Sequence, residues 1–354
     1  MKLEDLGYNP EFEKFRLNSQ LEKFEIGRVI AEHKERYMVR TTQDEFESEI
    51  TGKMRFTARS RIDFPAVGDW VALETFEDNF AVIHQIFPRF SLIKRKAVGQ
   101  LGEIQIIAAN IDCAFLVQAA DRDFNINRLE RYLTICNSSN VKPIIILSKT
   151  DLIHESRLAE IVENIHARIQ NVPVIPVSNE TRSGYNEIRT SIGKGKTYCM
   201  LGSSGVGKST LLNNLSGKNL MKTDEISQST GKGRHITSHR ELVILENGGI
   251  LIDNPGIREV GIADTESGLE ITFDSIVSLA QKCKFKDCTH TTEIGCFILE
   301  AIKKGELDQA SFENYLKMER EKLHFESTIV ERRKKDKEFG KIIKHYKKTV
   351  IKNK

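Results

Sequence analysis

The sequence has no long hydrophobic segment. None of its apolar runs approaches the roughly 18 residues that a membrane-spanning helix requires. Its first residues, MKLEDLGYNP, are acidic and polar, unlike the basic and apolar regions of a secretory signal peptide. We therefore expect a soluble, cytoplasmic protein with no membrane partner.

Cysteine is also scarce, with six residues in a chain of 354. So few cysteines cannot form a disulfide scaffold. Three of them, Cys283, Cys288 and Cys296, fall in one short stretch, and in a reducing compartment this clustering favours a metal site. The other three occupy apolar segments, where we expect small core residues: Cys113, Cys136 and Cys199.

Neither charge sign dominates the composition, because the chain has 53 Lys and Arg residues and 50 Asp and Glu residues, for a net charge of +3. The charge is uneven: residues 317–354 carry a net +8, which leaves −5 for the rest of the chain. A basic tail on a mildly acidic body favours a polyanionic partner. A solvated helical face is the alternative interpretation.

The chain is long enough for about two to three domains. After an N-terminal extension (1–23), residues 24–98 contain short strand-like segments that predict an OB-like β-barrel, with a packing-only barrel as the alternative. Residues 99–268 alternate buried strands with helices, which predicts an α/β domain with a parallel sheet. Residues 269–354 are expected to form a mostly helical metal-binding domain with a basic tail.

Residues 202–209, GSSGVGKS, match the phosphate-loop pattern G-x-x-x-x-G-K-[ST] between an apolar strand and a helix. Successive backbone N–H groups and the helix N-terminus would bind phosphate oxygens. Lys208 would reach the β- and γ-phosphates, and the Ser209 hydroxyl would ligate Mg²⁺. The predicted phosphate-binding residues are Gly202, Ser203, Ser204, Gly205, Val206, Gly207, Lys208, Ser209 and Gly256.

The segment ELVILENGGILIDNPG predicts a hairpin that turns at residues 247–249 and ends in D-x-P-G. Asp253, at the end of a buried strand after a phosphate loop, would be the acidic partner of Mg²⁺, and Gly256 could donate its N–H to the γ-phosphate. A plain turn is the alternative.

Residues 148–151, SKTD, end another buried strand and resemble the [NT]-K-x-D guanine signature. A buried carboxylate at Asp151 would accept from guanine N1–H and the 2-amino group, and discrimination against adenine would be on the order of 10⁴. Lys149 would lay its stem along the base and cross to the phosphate loop. A helix capping box is the alternative. The predicted guanine-binding residues, including a second loop after VPVIPV, are Ser148, Lys149, Thr150, Asp151, Ser178 and Asn179.

The order of these motifs is unusual, because the guanine motifs precede the phosphate loop, whereas ordinary GTPases place them after it. Ligand loops of an open α/β sheet all lie at the carboxyl ends of the strands. A circular permutation therefore preserves the site. We predict that the loops of Asp151 and Lys208 lie side by side and bind opposite ends of one GTP.

The spacing Cys283-x4-Cys288-x-His290-x5-Cys296 supplies three thiolates and one imidazole. This closed Cys₃His set suits a tetrahedral structural Zn²⁺, which in such modules contributes about 10–16 kcal/mol of apparent binding free energy. Buried cysteines beside an unrelated histidine are the alternative.

The motifs PAVGDWV, IAANID, RLERYL, SKTD, GSSGVGKST, GRHIT, DNPGIRE and the cysteine cluster, in this order, resemble the small-ribosomal-subunit biogenesis GTPases of the RsgA/YjeQ family. The resemblance implies an OB domain, a permuted GTPase domain and a zinc domain. It implies GTP hydrolysis stimulated by the 30S subunit during late assembly, with GTP or GDP, the 30S subunit and its 16S rRNA as partners. We expect a monomer.

The resemblance also implies residue roles. Thr210 extends the phosphate loop, and Ser148 departs from the family's Asn. The segment GRHITS resembles the family's switch, in which Thr237 would complete the Mg²⁺ set of Ser209 and Asp253. Ile257 occupies the place where many GTPases have a water-orienting Gln, so His235 is the candidate catalytic residue; contact with the ribosome or solvent is the alternative role.

Two other functions remain open from the sequence. One is an RNA-binding assembly factor in which the nucleotide is mainly structural. The other is a P-loop ATPase, which nucleotide competition would distinguish.

Overall fold

The computed structural model describes residues 1–33, 36–96, 104–121, 123–217, 241–253, 266–323 and 331. The chain divides into two compact units, Met1–Lys94 with Ile106–Val260 and Arg95–Gln105 with Gly261–Lys354. The predicted domain boundaries at 23/24, 98/99 and 268/269 stay predictions. Within the described part of the chain, every helix is too short or too polar to cross a bilayer.

A closed five-stranded barrel opens the first unit and confirms the predicted OB-like barrel. Its strand order is β1-β2-β3-β5-β4, with β4 returning to β1, and β3 and β5 run parallel. Alternating apolar residues such as Val29, Tyr37, Val71 and Ile83 fill the interior. The strands are β1 (Glu25–His33), β2 (Arg36–Arg40), β3 (Glu45–Ile50), β4 (Trp70–Thr75) and β5 (Phe80–Ile86).

The N-terminal extension packs on the outside of this barrel. A 3-10 turn (Leu3–Leu6) leads into helix α1 (Pro10–Asn18), which begins where the Asn9 side chain accepts from two backbone N–H groups. Phe12 of α1 is buried in one cluster with Trp70 of the barrel. Three further elements are α2 (Gly52–Thr57) and the paired strands β6 (Leu92–Lys96) and β7 (Ile104–Ala109).

The rest of the first unit is an α/β sheet of order β10-β9-β8-β11-β13-β12. The first five strands run parallel, and β12 forms the predicted hairpin with β13. The strands are β8 (Cys113–Ala119), β9 (Lys142–Ser148), β10 (Val174–Pro176), β11 (Thr197–Leu201), β12 (Glu241–Ile244) and β13 (Ile250–Asp253).

Helices cover both faces of this sheet. Within β8, Leu116 points into the core with α3 and α4, whereas its neighbours Phe115 and Val117 point into the core with α5 and α6. This alternation explains why the strand is apolar throughout. The helices are α3 (Ile126–Ser138), α4 (Glu155–Arg168), α5 (Tyr185–Ser191) and α6 (Lys208–Ser216).

The barrel and the α/β sheet are continuous. Ala31 of β1 pairs with Glu241 of β12, which gives one sheet of eleven strands. Beside this junction the guanidinium of Arg28, only 1% exposed, donates to the carbonyls of Leu6, Gly68 and Asn110 at 2.6, 3.2 and 3.2 Å. One buried side chain therefore joins the N-terminal extension, the barrel and the start of the α/β region.

The second unit is helical around its own core, which includes Phe273, Ile276, Ile298, Phe312 and Met318. Its helices are α7 (Glu266–Thr272), α8 (Asp274–Ala280), α9 (Phe297–Lys304) and α10 (309–323). The cysteine-rich stretch connects α8 to α9, so the predicted metal ligands lie between two packed helices.

Candidate nucleotide and metal sites

Three predicted ligand loops lie at one edge of the α/β sheet. Residues 148–151 begin at the last residue of β9, residues 177–179 follow β10, and residues 202–207 follow β11. These strands run parallel with β8 between β9 and β11, so their carboxyl ends share one edge. The structure therefore brings together segments that are 28 to 58 residues apart in the sequence.

The phosphate loop has the backbone that its glycines predict. Gly205 and Gly207 have φ angles of 80° and 93°, in the left-handed region, and α6 begins directly after them at Lys208. Gly202 lies so close to β8 that a Cβ there would meet the carbonyl oxygen of Val117 at 2.3 Å. The loop ends at the N-terminus of α6, and the N-terminus of a helix favours the binding of phosphate.

Lys208 lies over its own loop. Its Nζ donates to the carbonyls of Gly202 and Ser203 at 2.8 and 2.5 Å. The ammonium is thus held at the mouth of the loop. The Tyr132 hydroxyl of α3 hydrogen-bonds to Ser203, a contact that the sequence analysis did not identify.

Ser148 connects the first base loop to the phosphate loop. Its side chain is 2% exposed, and its hydroxyl donates to the Val206 carbonyl at 2.6 Å. This bond argues against a helix-capping role for Ser148. The contact of Ser148 with guanine stays a prediction. The short serine side chain can make this bond because the two loops are in direct contact.

Two features of this loop differ from the expectations. Asp151 is exposed rather than buried, because it lies in a 3-10 turn (Thr150–Leu152) beyond the end of the strand. Lys149 has a left-handed backbone, φ 58°, and its Nζ lies 3.4 Å from the Asp121 carboxylate rather than on the phosphate loop. Asp121 follows β8, and no sequence signal identified it.

The second base loop is fixed by side chains. The Ser178 hydroxyl accepts from the backbone N–H groups of Glu180 and Thr181 at 3.2 and 3.1 Å, which closes the turn. The Asn179 amide donates to the Gly207 carbonyl at 3.2 Å. Both predicted base loops therefore bond to adjacent carbonyls of the phosphate loop.

The magnesium and switch predictions are only partly described. Ser209 lies in the first turn of α6, and the backbone of Asp253 ends β13, next to β11. Hydroxyl and carboxylate oxygens are ligands that Mg²⁺ accepts. The remaining predicted residues lie outside the described residues: His235, Thr237 and Gly256.

The predicted metal ligands converge in the second unit. The ligand atoms of Cys283, Cys288, His290 and Cys296 lie within 4.8 Å of one another. The Nδ1 atom of His290 is 3.6 and 3.4 Å from the Sγ atoms of Cys283 and Cys296, which are 4.0 Å apart. Tetrahedral Zn²⁺ requires S···N of about 3.5 Å and S···S of about 3.8 Å. The donor set and its geometry therefore fit zinc.

Backbone donors and a carboxylate support this cluster. The Leu299 N–H donates to Cys296 Sγ at 3.5 Å. Glu293 accepts from the N–H groups of Thr289 and Thr291, both at 2.8 Å, on either side of His290. Partial burial and the neighbouring cysteine thiols raise the pKa of Cys288 to about 11, so a metal ion must displace a proton there.

Comparison with known families supports this reading of the site. A family model described as RsgA GTPase matches residues 86–263, about half of the chain. A second model, described as ABC transporter, matches residues 185–350, a segment that includes the phosphate loop.

The chain is similar over most of its length to curated proteins. It is 40% identical over 332 residues to "Small ribosomal subunit biogenesis GTPase RsgA 1" of Bacteroides thetaiotaomicron, covering 93% of this chain and 92% of the relative. It is 42% identical over 296 residues to "Small ribosomal subunit biogenesis GTPase RsgA 2" of Lactiplantibacillus plantarum, covering 84% and 83%.

Two solved structures resemble the fold. YjeQ from Thermotoga maritima matches with a TM-score of 0.62 at 24% identity, covering 86% of this chain and 98% of that chain. YloQ, described as a circularly permuted GTPase, matches with a TM-score of 0.60 at 25% identity, covering 84% and 94%.

Proposed function

The chain belongs to the RsgA GTPase family, and we propose that it is a GTP hydrolase that acts as a late assembly factor of the small (30S) ribosomal subunit. The observation that carries the nucleotide part of this proposal is the bond between Ser148 and the Val206 carbonyl. It joins a base-reading loop to a phosphate loop at one sheet edge, in the permuted motif order. The names of the relatives supply the ribosomal part.

Guanine recognition would rest on the exposed carboxylate of Asp151. Its position beyond the strand end leaves it free to accept from guanine N1–H and the 2-amino group, two donors that adenine lacks. The backbone of Ser178 and Asn179 would meet the base from the second loop.

The phosphates would lie against residues 202–210, with Lys208 turning from its loop carbonyls toward the β- and γ-phosphates. Ser209, Asp253 and Thr237 would hold Mg²⁺, and the Gly256 N–H would meet the γ-phosphate. His235 would position the attacking water once the ribosome orders the switch.

Zinc would hold the loop between α8 and α9, bound by three thiolates and the His290 imidazole. With four protein ligands the site would be closed, so its role would be structural. It would fix the second unit, whose basic C-terminal segment, together with the barrel, would contact 16S rRNA phosphates. We also propose that the protein is cytoplasmic and monomeric.

The decisive experiment is GTP turnover by the full chain against a titration of purified 30S subunits, with ATP as a competitor. We expect slow intrinsic hydrolysis, stimulation that saturates with 30S subunits, and competition by ATP only at concentrations far above that of GTP. Turnover that 30S subunits do not change would instead favour an RNA-binding factor with a structural nucleotide. In the same assay, near wild-type stimulated rates in His235→Ala would remove the catalytic role of His235.

A further inference from the structure

A chain of hydrogen bonds runs from helix α6 through the second base loop to the phosphate loop. The Asn214 amide donates to the Tyr185 hydroxyl at 2.7 Å, and that hydroxyl donates to the Asn179 Oδ1 at 2.8 Å. The Asn179 Nδ2 then donates to the Gly207 carbonyl at 3.2 Å. The chain thus joins three separate segments around the predicted nucleotide.

The direction of this chain is fixed by chemistry. The Gly207 carbonyl can only accept, so Asn179 must present its amide nitrogen to Gly207 and its oxygen to Tyr185. The Tyr185 hydroxyl must therefore donate to Asn179, which leaves its lone pairs for the Asn214 amide. Because the donor and acceptor of the hydroxyl are both used, its loss would affect both neighbours.

The environment of Tyr185 keeps the hydroxyl in place. The residue is 2% exposed and belongs to the core cluster that includes Val206 and Leu211 of the phosphate-loop segment. The guanidinium groups of Arg182 and Arg189 lie 5.4 and 6.0 Å from its ring centre. Burial raises the pKa of Tyr185, so the hydroxyl remains a donor across the physiological pH range.

We propose that Tyr185 is a positioning residue for guanine recognition, which it achieves by fixing Asn179 relative to the phosphate loop. This inference rests on the proposed GTPase function. Asn179 is well packed at this point, because a Cβ on Gly207 would meet its Nδ2 at 2.6 Å. Together with the Ser148–Val206 bond, the Tyr185 chain connects both base loops to adjacent carbonyls of the phosphate loop. The loops that would bind the base and the phosphates are therefore fixed relative to one another.

The test compares binding of GDP and ADP by the full chain and its Tyr185→Phe variant. ADP carries the same ribose and diphosphate, but it does not depend on the base-reading loops. We expect Tyr185→Phe to bind GDP about tenfold more weakly, as expected for one or two lost hydrogen bonds, and to bind ADP as the wild type does. Asn214→Ala, a milder change at a half-buried residue, should also weaken GDP binding and leave ADP binding unchanged.

Tyr198→Phe is the matched control. Tyr198 is also buried, and its hydroxyl donates to the Ser191 carbonyl at 2.8 Å and accepts from the Gly193 N–H at 3.0 Å. It lies at the amino end of β11, at the opposite end of the strand from the phosphate loop. The control should lower the melting temperature and leave the GDP-to-ADP affinity ratio unchanged.

An unchanged GDP-to-ADP ratio in Tyr185→Phe and Asn214→Ala would overturn the inference, as would an equal loss of affinity for both nucleotides. Combining Tyr185→Phe with Asn179→Ala should add little to the GDP effect of Asn179→Ala alone, and full additivity would count against a shared chain. If the proposed GTPase function itself were wrong, the result would be distinguishable, because the wild-type protein would then not prefer GDP over ADP.

Discussion

Ser148 shows how one short side chain can connect two ligand loops. Its buried hydroxyl bonds to the Val206 carbonyl at 2.6 Å, so the base loop and the phosphate loop are held together at a single atom pair. Removing the hydroxyl leaves a buried carbonyl without this donor. The effect should therefore appear in nucleotide binding as well as in stability.

We expect Ser148→Ala to weaken GDP binding about three- to tenfold and to lower the free energy of unfolding by about 1 kcal/mol. Isothermal titration and chemical denaturation would measure the two effects. Ser138→Ala is a matched control, because the Ser138 hydroxyl also donates to a backbone carbonyl, that of Thr134 at 2.8 Å, but near the end of α3. Equal GDP affinity in Ser148→Ala and the wild type would contradict this role.

At the residue scale, the sequence predicted the sites whose residues are close together in the chain. The phosphate loop and the Cys₃His spacing are contiguous patterns, and the family match confirms the resemblance that they carry. Asp121, Tyr185 and Asn214 were missed because they act through contacts between segments 6 to 29 residues apart. No local pattern distinguishes them from ordinary loop or helix residues.

At the element scale, the cysteine-rich loop between α8 and α9 has the donor set for a zinc ion, and we propose that its structure depends on that ligand. Its backbone is held by Glu293 and by the Leu299 N–H, but the ligand side chains come from residues 283 to 296 with little regular structure between them. We therefore expect a bound metal ion to fix the conformation of this loop.

We expect the purified protein to contain one zinc ion per chain, and Cys283→Ser to lose it. Chelation should lower the melting temperature of the second unit and expose residues 283–296 to proteolysis, because the thiolates would repel and reprotonate without the metal. Cys113→Ser, at a buried cysteine of β8, should retain the zinc. Unchanged protease resistance after complete removal of the metal would contradict a structural role.

The elements themselves were largely predictable. The alternation of β8 residues between two cores and the turn at 247–249 follow directly from the apolar pattern and the glycines. The pairing of Ala31 with Glu241 was not predictable, because it joins strands about two hundred residues apart. The role of Arg28 was not predictable either. A charged residue in a strand is expected at the surface, but Arg28 is buried and donates to three backbone carbonyls.

At the scale of the whole molecule, the permuted motif order is compatible with an intact site because the three described ligand loops, after β9, β10 and β11, leave the same edge of the parallel sheet. The motif that ends at Asp151 comes first in the chain, yet it lies against the phosphate loop that follows it. The switch segment then comes directly before β12, the strand that joins the α/β sheet to the barrel.

The most direct test of a shared guanine and phosphate site is the nucleotide preference of Asp151→Asn. A carboxylate accepts from the guanine 2-amino group, whereas an amide can donate to the 2-oxo group of xanthine. We predict that the wild-type chain prefers GDP over xanthosine diphosphate by at least about a hundredfold and that Asp151→Asn reverses this preference, with the phosphate contacts unchanged. An Asp151→Asn variant that keeps the wild-type preference for GDP would contradict the account.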